Sequence, residues 1–169
     1  MIRPCLDTDA DLYCAKLQAD SAHLSAYFSN MISMNTTAEQ MRAYFAEKAA
    51  DWQQGRGYSC GIFLQDSGEL IGHVSVREID LRVPKGELAY FIFSDYTGHR
   101  YAAEALLGFR DWCFAEKGMN RLFMKIGLEN TGSMKVAESC GFLEEGLLKK
   151  DYRTGSRLVD MKIFGYTAG

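Results

Sequence analysis

A strand–loop–helix segment over residues 88–106 holds the residues best suited to binding a ligand. Leu88 to Phe93 form a nearly unbroken apolar and aromatic run, which predicts a strand buried on both faces. A helix is predicted from Gly98 to about Lys117, where Gly118 ends it. Because the first amide groups of a helix have no partner within it, such an end can hold a phosphate group. The segment therefore predicts a phosphate-binding loop, with an ordinary strand–helix connection as the alternative.

The composition of that loop adds two features that suit an anion. Small residues would let a ligand approach the backbone closely, namely Gly98, Ala102 and Ala103. His99 and Arg100 would add positive charge beside the helix end, where the helix dipole already favours an anion.

A second candidate site lies at the start of a short helix predicted from Ser133 to Cys140. Asn130 leaves the preceding strand, and its side-chain amide can bridge two backbone or ligand groups. Ser133 lies on the first helical turn and offers a hydroxyl to a ligand. In the alternative interpretation Asn130 caps the helix and Ser133 is an ordinary first-turn residue.

The remaining elements complete an α/β pattern that would hold these two segments. Helices are predicted over Asp7–Leu17 and Ser21–Phe28, and a third follows overlapping capping-box patterns at 36–40 and runs to about Gln54. Further strands are predicted on either side of the first segment, over Tyr58–Leu64, Glu69–Ile79, Arg121–Leu128, Glu145–Asp151 and Arg157–Tyr166. The order is helices, an antiparallel pair, then strand–helix–strand–helix–hairpin.

Composition excludes several classes of protein. The 169 residues are 47% hydrophobic and 24% charged, which fits a single domain over residues 1–169. A net charge of −3 argues against nucleic acid as a main partner, because that needs a dense basic face. No apolar run reaches the roughly 20 residues of a membrane span, and no secretory signal is visible. Five scattered cysteines predict reduced thiols in a cytoplasmic protein. The three histidines lie too far apart to predict a metal site.

Together, the two candidate segments resemble the GNAT (Gcn5-related) N-acetyltransferase superfamily, and most of all its ribosomal-protein serine/alanine N-terminal acetyltransferase branch. The branch pattern GYWI-x-P-x-x-x-GKGYATEAL is matched by Ala89-Tyr90-Phe91-Ile92 and then, without a gap, by Gly98-His99-Arg100-Tyr101-Ala102-Ala103-Glu104-Ala105-Leu106. The pattern N-x-x-S-x-x-V-A-E-x-x-GF-x-x-EG is matched at Asn130, Ser133, Val136, Ala137, Glu138, Gly141, Phe142, Glu145 and Gly146. Weaker similarities at 2–4, 69–72 and Asp160 extend the resemblance over nearly the whole chain.

The resemblance implies an α/β (α+β) fold with a mixed, mostly antiparallel sheet that is splayed into a V and flanked by helices. Acetyl-CoA would lie in the V as the acetyl donor. The pantetheine arm would pair with the backbone of Phe91, Ile92 and Phe93, and the pyrophosphate would sit on the loop amides of Gly98, His99, Arg100, Tyr101, Ala102 and Ala103. Asn130 would contact the pantetheine, and Phe142 would pack near the cofactor.

Three positions depart from the family pattern. Arg100 stands where the family has its second loop glycine, so its side chain would either crowd the pyrophosphate or bind it. Thr97 replaces the family's loop arginine or glutamine. Ala137 stands where many members carry a tyrosine as general acid. In the ribosomal-protein branch a serine at the position of Ser133 is proposed for that role, and this chain keeps it.

The chemistry implied by the resemblance is acyl transfer from a thioester to an amine. Ser133 is the expected acid for the departing thiolate, and a backbone N–H near Ile92 or Phe93 is the expected donor to the oxyanion. The base is expected to be Asp151, close to the acidic position of the branch, or Glu87, at the start of the fourth strand. For either carboxylate the alternative is a solvated charge at a strand end.

The acceptor implied by the closest branch is the amine at a protein N-terminus. A small amine, such as a polyamine or an antibiotic, is the alternative acceptor. The alternative to an enzyme is a catalytically inactive domain that binds acyl-CoA as a sensor. The expected partners are therefore acetyl-CoA and an amine acceptor, with no nucleic acid and no membrane, in a monomer or homodimer.

Overall fold

The computed structural model describes residues 1–168, in which seven strands form one sheet. In chain order the strands are Ile2–Arg3 (β1), Tyr58–Phe63 (β2), Leu70–Asp80 (β3), Lys85–Ile92 (β4), Arg121–Gly127 (β5), Leu143–Thr154 (β6) and Arg157–Thr167 (β7). Their order across the sheet is β1-β2-β3-β4-β5-β7-β6. Every neighbouring pair is antiparallel except β4 and β5, which are parallel. The predicted mixed, mostly antiparallel sheet is confirmed.

Five α-helices cover the two faces of this sheet within residues 1–168. They are Ala10–Ala19 (α1), Ser21–Met34 (α2), Ala38–Gln53 (α3), Tyr101–Lys117 (α4) and Thr131–Ser139 (α5). One apolar cluster joins α1, α2 and α3 to one face, and the larger cluster joins α4 and α5 to the other. Thr37 and Gln40 exchange the two hydrogen bonds of the predicted capping box at the start of α3. No helix of the described chain is both long and apolar enough to cross a membrane.

The sheet opens between β4 and β5. The two strands pair only over three residues each, Lys85–Glu87 with Arg121–Phe123. Beyond that contact β4 continues along β3 alone, and β5 continues along β7 alone. The strands therefore diverge into the predicted V, and each presents unpaired backbone groups to the gap between them.

Several element boundaries differ from the sequence prediction, and three of these differences bear on the site. Strand β4 begins at Lys85 rather than Leu88, so Glu87, expected at the start of the strand, is a buried residue within it and pairs with Arg77. Helix α2 runs on to Met34, but it breaks its helical geometry at Phe28 (φ −127°, ψ 24°), the residue at which the prediction ended it. Helix α4 begins at Tyr101, and the three residues before it form a loop.

Candidate active site

A groove of about 850 Å³ follows the opening between β4 and β5. One wall is β4 together with the loop that leads into α4, and the other is the start of α5. Of the predicted cofactor residues, the lining contains Phe91, Ile92, Gly98, Arg100, Tyr101, Ala102 and Asn130. The structure thus brings the two segments singled out in the sequence to opposite sides of one cavity.

The α4 end of the groove offers backbone donors. Arg100 is the N-cap residue of α4 and adopts a left-handed conformation (φ 65°), and no side chain caps the helix. Gly98 also has positive φ (83°), and open space surrounds the position of its missing Cβ. The uncapped first-turn amides are unpaired donors of the kind that bind phosphate groups. The positive φ of Arg100 also explains why a glycine suits this position.

Backbone alternation on β4 distinguishes the two expected oxyanion donors. The Phe93 N–H donates to the Ile71 carbonyl oxygen at 2.9 Å, so it is not available to a ligand. In an antiparallel pair, successive residues point their amides to opposite sides of the strand. The Ile92 N–H therefore points into the groove. Of the two expected donors, Ile92 and Phe93, only Ile92 therefore has an amide free to face the groove, and its role as oxyanion donor stays a prediction.

Helix α5 carries the two polar residues of the opposite wall. The Asn130 side-chain oxygen accepts a hydrogen bond from the Ser133 backbone N–H at 3.1 Å, so Asn130 is the N-cap of α5. This bond fixes Ser133 on the first turn, where it lines both the groove and the next cavity described below. Ala137 is completely buried, so α5 presents no hydroxyl at that position.

The inner end of the groove adjoins a smaller cavity of about 240 Å³, here called the acceptor pocket. Both predicted base candidates line it. Glu87 is buried and accepts a hydrogen bond from the Arg77 guanidinium at 3.1 Å. Asp151 is exposed and lies 3.0 Å from the Lys125 ammonium group, whose pKa is raised mainly by that carboxylate. The pocket lining therefore places three carboxylates, those of Glu78, Glu87 and Asp151, and two cations around one small space.

Irregular backbone shapes two walls of the acceptor pocket. The β3–β4 ladder shifts register after Arg77, where Glu78 has positive φ (51°). The β6–β7 ladder shifts before Tyr152, where Lys150 has positive φ (52°). Asp160 on β7 accepts the Lys150 N–H at 2.9 Å and holds this second irregularity in place. Bulges of this kind change the direction of neighbouring side chains, here those of Arg77 and Asp151.

Helix α2 crosses the opening of the V at its kink. Phe28 packs edge-to-face on Phe91 of the β4 wall, with ring centroids 5.0 Å apart. The Tyr27 side chain reaches the other wall at Gly127, where a Cβ would overlap the Tyr27 hydroxyl. The Tyr152 hydroxyl on β6 donates to the Tyr27 carbonyl oxygen at 2.7 Å. The kinked part of α2 is thus attached to both halves of the sheet.

Four predicted cofactor residues do not line the groove. Phe93 and Phe142 are buried in the two apolar clusters, and Phe142 packs against Tyr166 with ring centroids 5.5 Å apart. His99 and Ala103 lie outside the lining, His99 being exposed beside Tyr101. Their expected contacts with the cofactor remain predictions, and the side chains in this structure contribute to packing or face solvent.

Sequence reasoning missed several residues of the site because no motif marks them. Arg77 and Lys125 come from strands far apart in the chain, and only the register of the sheet reveals that they share a pocket with the two carboxylates. Tyr27 and Tyr90 also line both cavities. Tyr90 belongs to the strand motif, but nothing in that motif marks its hydroxyl for a role in the site.

The family model for the acetyltransferase (GNAT) domain matches residues 1–143. The chain belongs to the GNAT acetyltransferase family. Probable N-acetyltransferase YjcK of Bacillus subtilis is 30% identical over 166 residues, which are 96% of this chain and 90% of that protein. Spermidine N(1)-acetyltransferase of Vibrio cholerae is 27% identical over 93 residues, 55% of this chain and 54% of that protein. Across such curated relatives the matched region spans from 54% to 90% of the relative's own length.

A solved structure shares the fold of this chain. RimJ of Mycobacterium smegmatis, in complex with CoA-disulfide, superimposes with a TM-score of 0.91 at 25% sequence identity. The comparison covers 99% of this chain and 81% of that chain. With the family model and the N-acetyltransferase relatives, this shows that the GNAT protein is an acetyl-CoA-dependent N-acetyltransferase.

Proposed function

We propose that this GNAT protein acetylates the free amine at the N-terminus of a polypeptide. The observation that carries the proposal is the shape of the space beyond the acetyl donor. The acceptor pocket adjoins a further cavity of about 500 Å³, and the two share Phe28, Arg77 and Ala89 as lining. The first pocket alone is below the range of about 300–1,000 Å³ that holds a whole drug-sized ligand. A terminal residue in the small pocket, with later residues in the larger cavity, fits this arrangement.

The charges around the acceptor space favour a peptide over a polyamine. Four cationic side chains lie among five carboxylates in the lining of the two cavities. Most of these carboxylates already form ion pairs with the lining cations, including Glu87 with Arg77, Asp151 with Lys125 and Asp51 with Arg56. A ligand with several ammonium groups would need unpaired carboxylates to replace its lost hydration. A peptide brings one amine and neutral amide groups, which suit a balanced lining.

The proposed reaction uses residues from both walls of the groove and from the acceptor pocket. Glu87 or Asp151 removes a proton so that the amine can attack the thioester carbonyl carbon. The Ile92 N–H stabilises the oxyanion of the tetrahedral intermediate. When this intermediate collapses, the C–S bond breaks and the new C–N bond remains. The Ser133 hydroxyl then supplies a proton to the departing thiolate. The uncapped start of α4, with Gly98 and Arg100, would hold the pyrophosphate of the donor.

Peptide length tests the acceptor class. We would measure thiol release from acetyl-CoA with alanine amide and serine amide, with their dipeptide and tetrapeptide extensions, and with spermidine. If the larger cavity binds later residues, kcat/KM should rise at least tenfold from the amino acid amide to the tetrapeptide. The matched control is the same tetrapeptide with a blocked N-terminus and an internal lysine, which should not react. A preference for spermidine, or acetylation of that lysine, would contradict the proposal.

A further inference from the structure

The Tyr90 hydroxyl is the one buried side-chain polar atom that makes no hydrogen bond within residues 1–168. Buried polar groups in native proteins nearly always have a partner, so an exception calls for an explanation. If the side chain only filled space, a phenylalanine at position 90 would do so equally well. It would also avoid the free-energy cost of burying an unpaired hydroxyl. The Tyr90 hydroxyl therefore remains free to form a hydrogen bond when the arrangement around it changes.

The location of Tyr90 indicates where that bond would form. Its side chain packs with the α4–α5 cluster, on the side of β4 opposite Phe91. Tyr90 lines both the cofactor groove and the acceptor pocket, and Ser133 lines the same two cavities from the other wall. The two hydroxyls are neighbours: burial raises the pKa of Tyr90 to about 12, and the nearby Ser133 hydroxyl opposes that rise. They meet where the groove passes into the pocket.

The chemical state of Tyr90 makes it a donor. Because its pKa lies far above neutral, the phenol keeps its proton throughout the pH range in which the protein works. Ser133 has one proton and two lone pairs, so it can accept one hydrogen bond while it donates another. A bond accepted from Tyr90 would leave the Ser133 proton to point elsewhere. Helix α5 has only Ala137 at the position one turn further on, so no other hydroxyl of that helix competes there.

We propose that Tyr90 is a positioning residue: with acetyl-CoA in the groove, its hydroxyl donates to Ser133 Oγ and directs the Ser133 proton toward the departing sulfur. This inference rests on the proposed role of Ser133. Tyr90 itself transfers no proton. The amine proton leaves to the carboxylate base, the C–S bond electrons go to sulfur, and the Ser133 proton passes to the thiolate. A proton from solvent replaces the one that Ser133 gives up in the same step, so no serine alkoxide persists, and the carboxylate base then releases its proton to solvent.

Stability and turnover should respond to Tyr90→Phe in opposite ways. Because the hydroxyl has no partner in the free protein, the melting temperature should be unchanged or higher. The kcat should fall about tenfold, while the KM for acetyl-CoA stays within twofold. Tyr13→Phe is the matched control, since Tyr13 is also buried but its hydroxyl is bonded to His73 Nδ1 at 2.8 Å, outside the groove. It should lower the melting temperature and leave kcat within twofold at a temperature where it is folded.

The double variant separates this inference from the role of Ser133. If Tyr90 acts through Ser133, Tyr90→Phe with Ser133→Ala should be no slower than Ser133→Ala alone. Three results would overturn the inference: a Tyr90→Phe enzyme with wild-type kcat, a melting temperature lowered as much as by Tyr13→Phe, or multiplicative losses in the double variant. Wild-type turnover by Ser133→Ala alone would instead remove Ser133 from the mechanism, and the inference with it. Peptide preference is measured separately and does not enter these comparisons.

Discussion

Replacing Arg100 with glycine should make the protein more stable and its binding of CoA weaker. Arg100 holds a left-handed backbone conformation (φ 65°) that costs a non-glycine residue about 1–2 kcal/mol. Glycine avoids that cost but loses about 0.5–1 kcal/mol through its greater freedom in the unfolded chain. The net gain in unfolding free energy should therefore lie between about zero and 1.5 kcal/mol. We expect the Arg100 side chain to offset this cost by binding CoA.

The expected loss of affinity follows from the chemistry of a guanidinium beside a helix end. A charge-assisted contact to a phosphate contributes about 1.5–3 kcal/mol. At about 1.4 kcal/mol for each factor of ten, its removal should weaken CoA binding by roughly tenfold to a hundredfold. A pantetheine fragment without the pyrophosphate should bind the variant and the original protein equally well, because it cannot use the contact.

Calorimetric titration with CoA and with pantetheine, together with thermal unfolding of the free protein, measures both effects. Lys150→Gly is the matched control, since Lys150 has a similar positive φ (52°) but lies on β6, away from the groove. Lys150→Gly should remove the cost of the left-handed backbone conformation in the same way, and it should leave the affinity for CoA unchanged. Equal or tighter CoA binding by Arg100→Gly would show that the arginine obstructs the site, and would refute the reasoning.

Three further outcomes are expected. Ser133→Ala should lower turnover more than it weakens CoA binding, since its hydroxyl acts as the thiolate leaves; unchanged kcat would contradict this. Asp151→Asn and Glu87→Gln should be compared, and the variant that removes the general base should lose the rising limb of the pH–rate profile. If both variants keep that limb, neither carboxylate is the general base. Burial lowers the pKa of His73 to about 4, so the unfolded chain (about 6.5) binds its proton first as pH falls. Stability should therefore decline between pH 6.5 and 4, by up to about 3 kcal/mol, and His73→Gln should flatten that decline in a pH series of unfolding experiments.

Much of the fold follows from local sequence patterns. The capping box at Thr37 and the glycine at 118 mark helix ends through local hydrogen bonds and backbone geometry, and the structure has both. The apolar run before residue 93 likewise predicted a buried strand. These signals depend on neighbours within a few residues, so the sequence carries them completely.

The details of the site depend on distant parts of the chain. Arg77 and Lys125 become part of the acceptor pocket only through the pairing of three strands. The engaged Phe93 N–H follows from the alternation of hydrogen bonds with β3, which strand prediction does not provide. The kink at Phe28 was visible only as an apparent helix end. Such features require the register between elements, and one sequence does not specify it.

The opening between β4 and β5 has a consequence for how the chain avoids self-association. Beyond their three-residue contact, both strands have a free hydrogen-bonding edge in the middle of the sheet. Free edges invite pairing with strands of other molecules, and the uncharged, proline-free run Leu88–Phe93 is the type of sequence most prone to it. Here the kinked α2 covers the edges through Phe28 and Tyr27. A chain in which α2 has not yet packed against the sheet therefore exposes an aggregation-prone strand edge. Protection from aggregation depends on the same helix that crosses the opening of the groove.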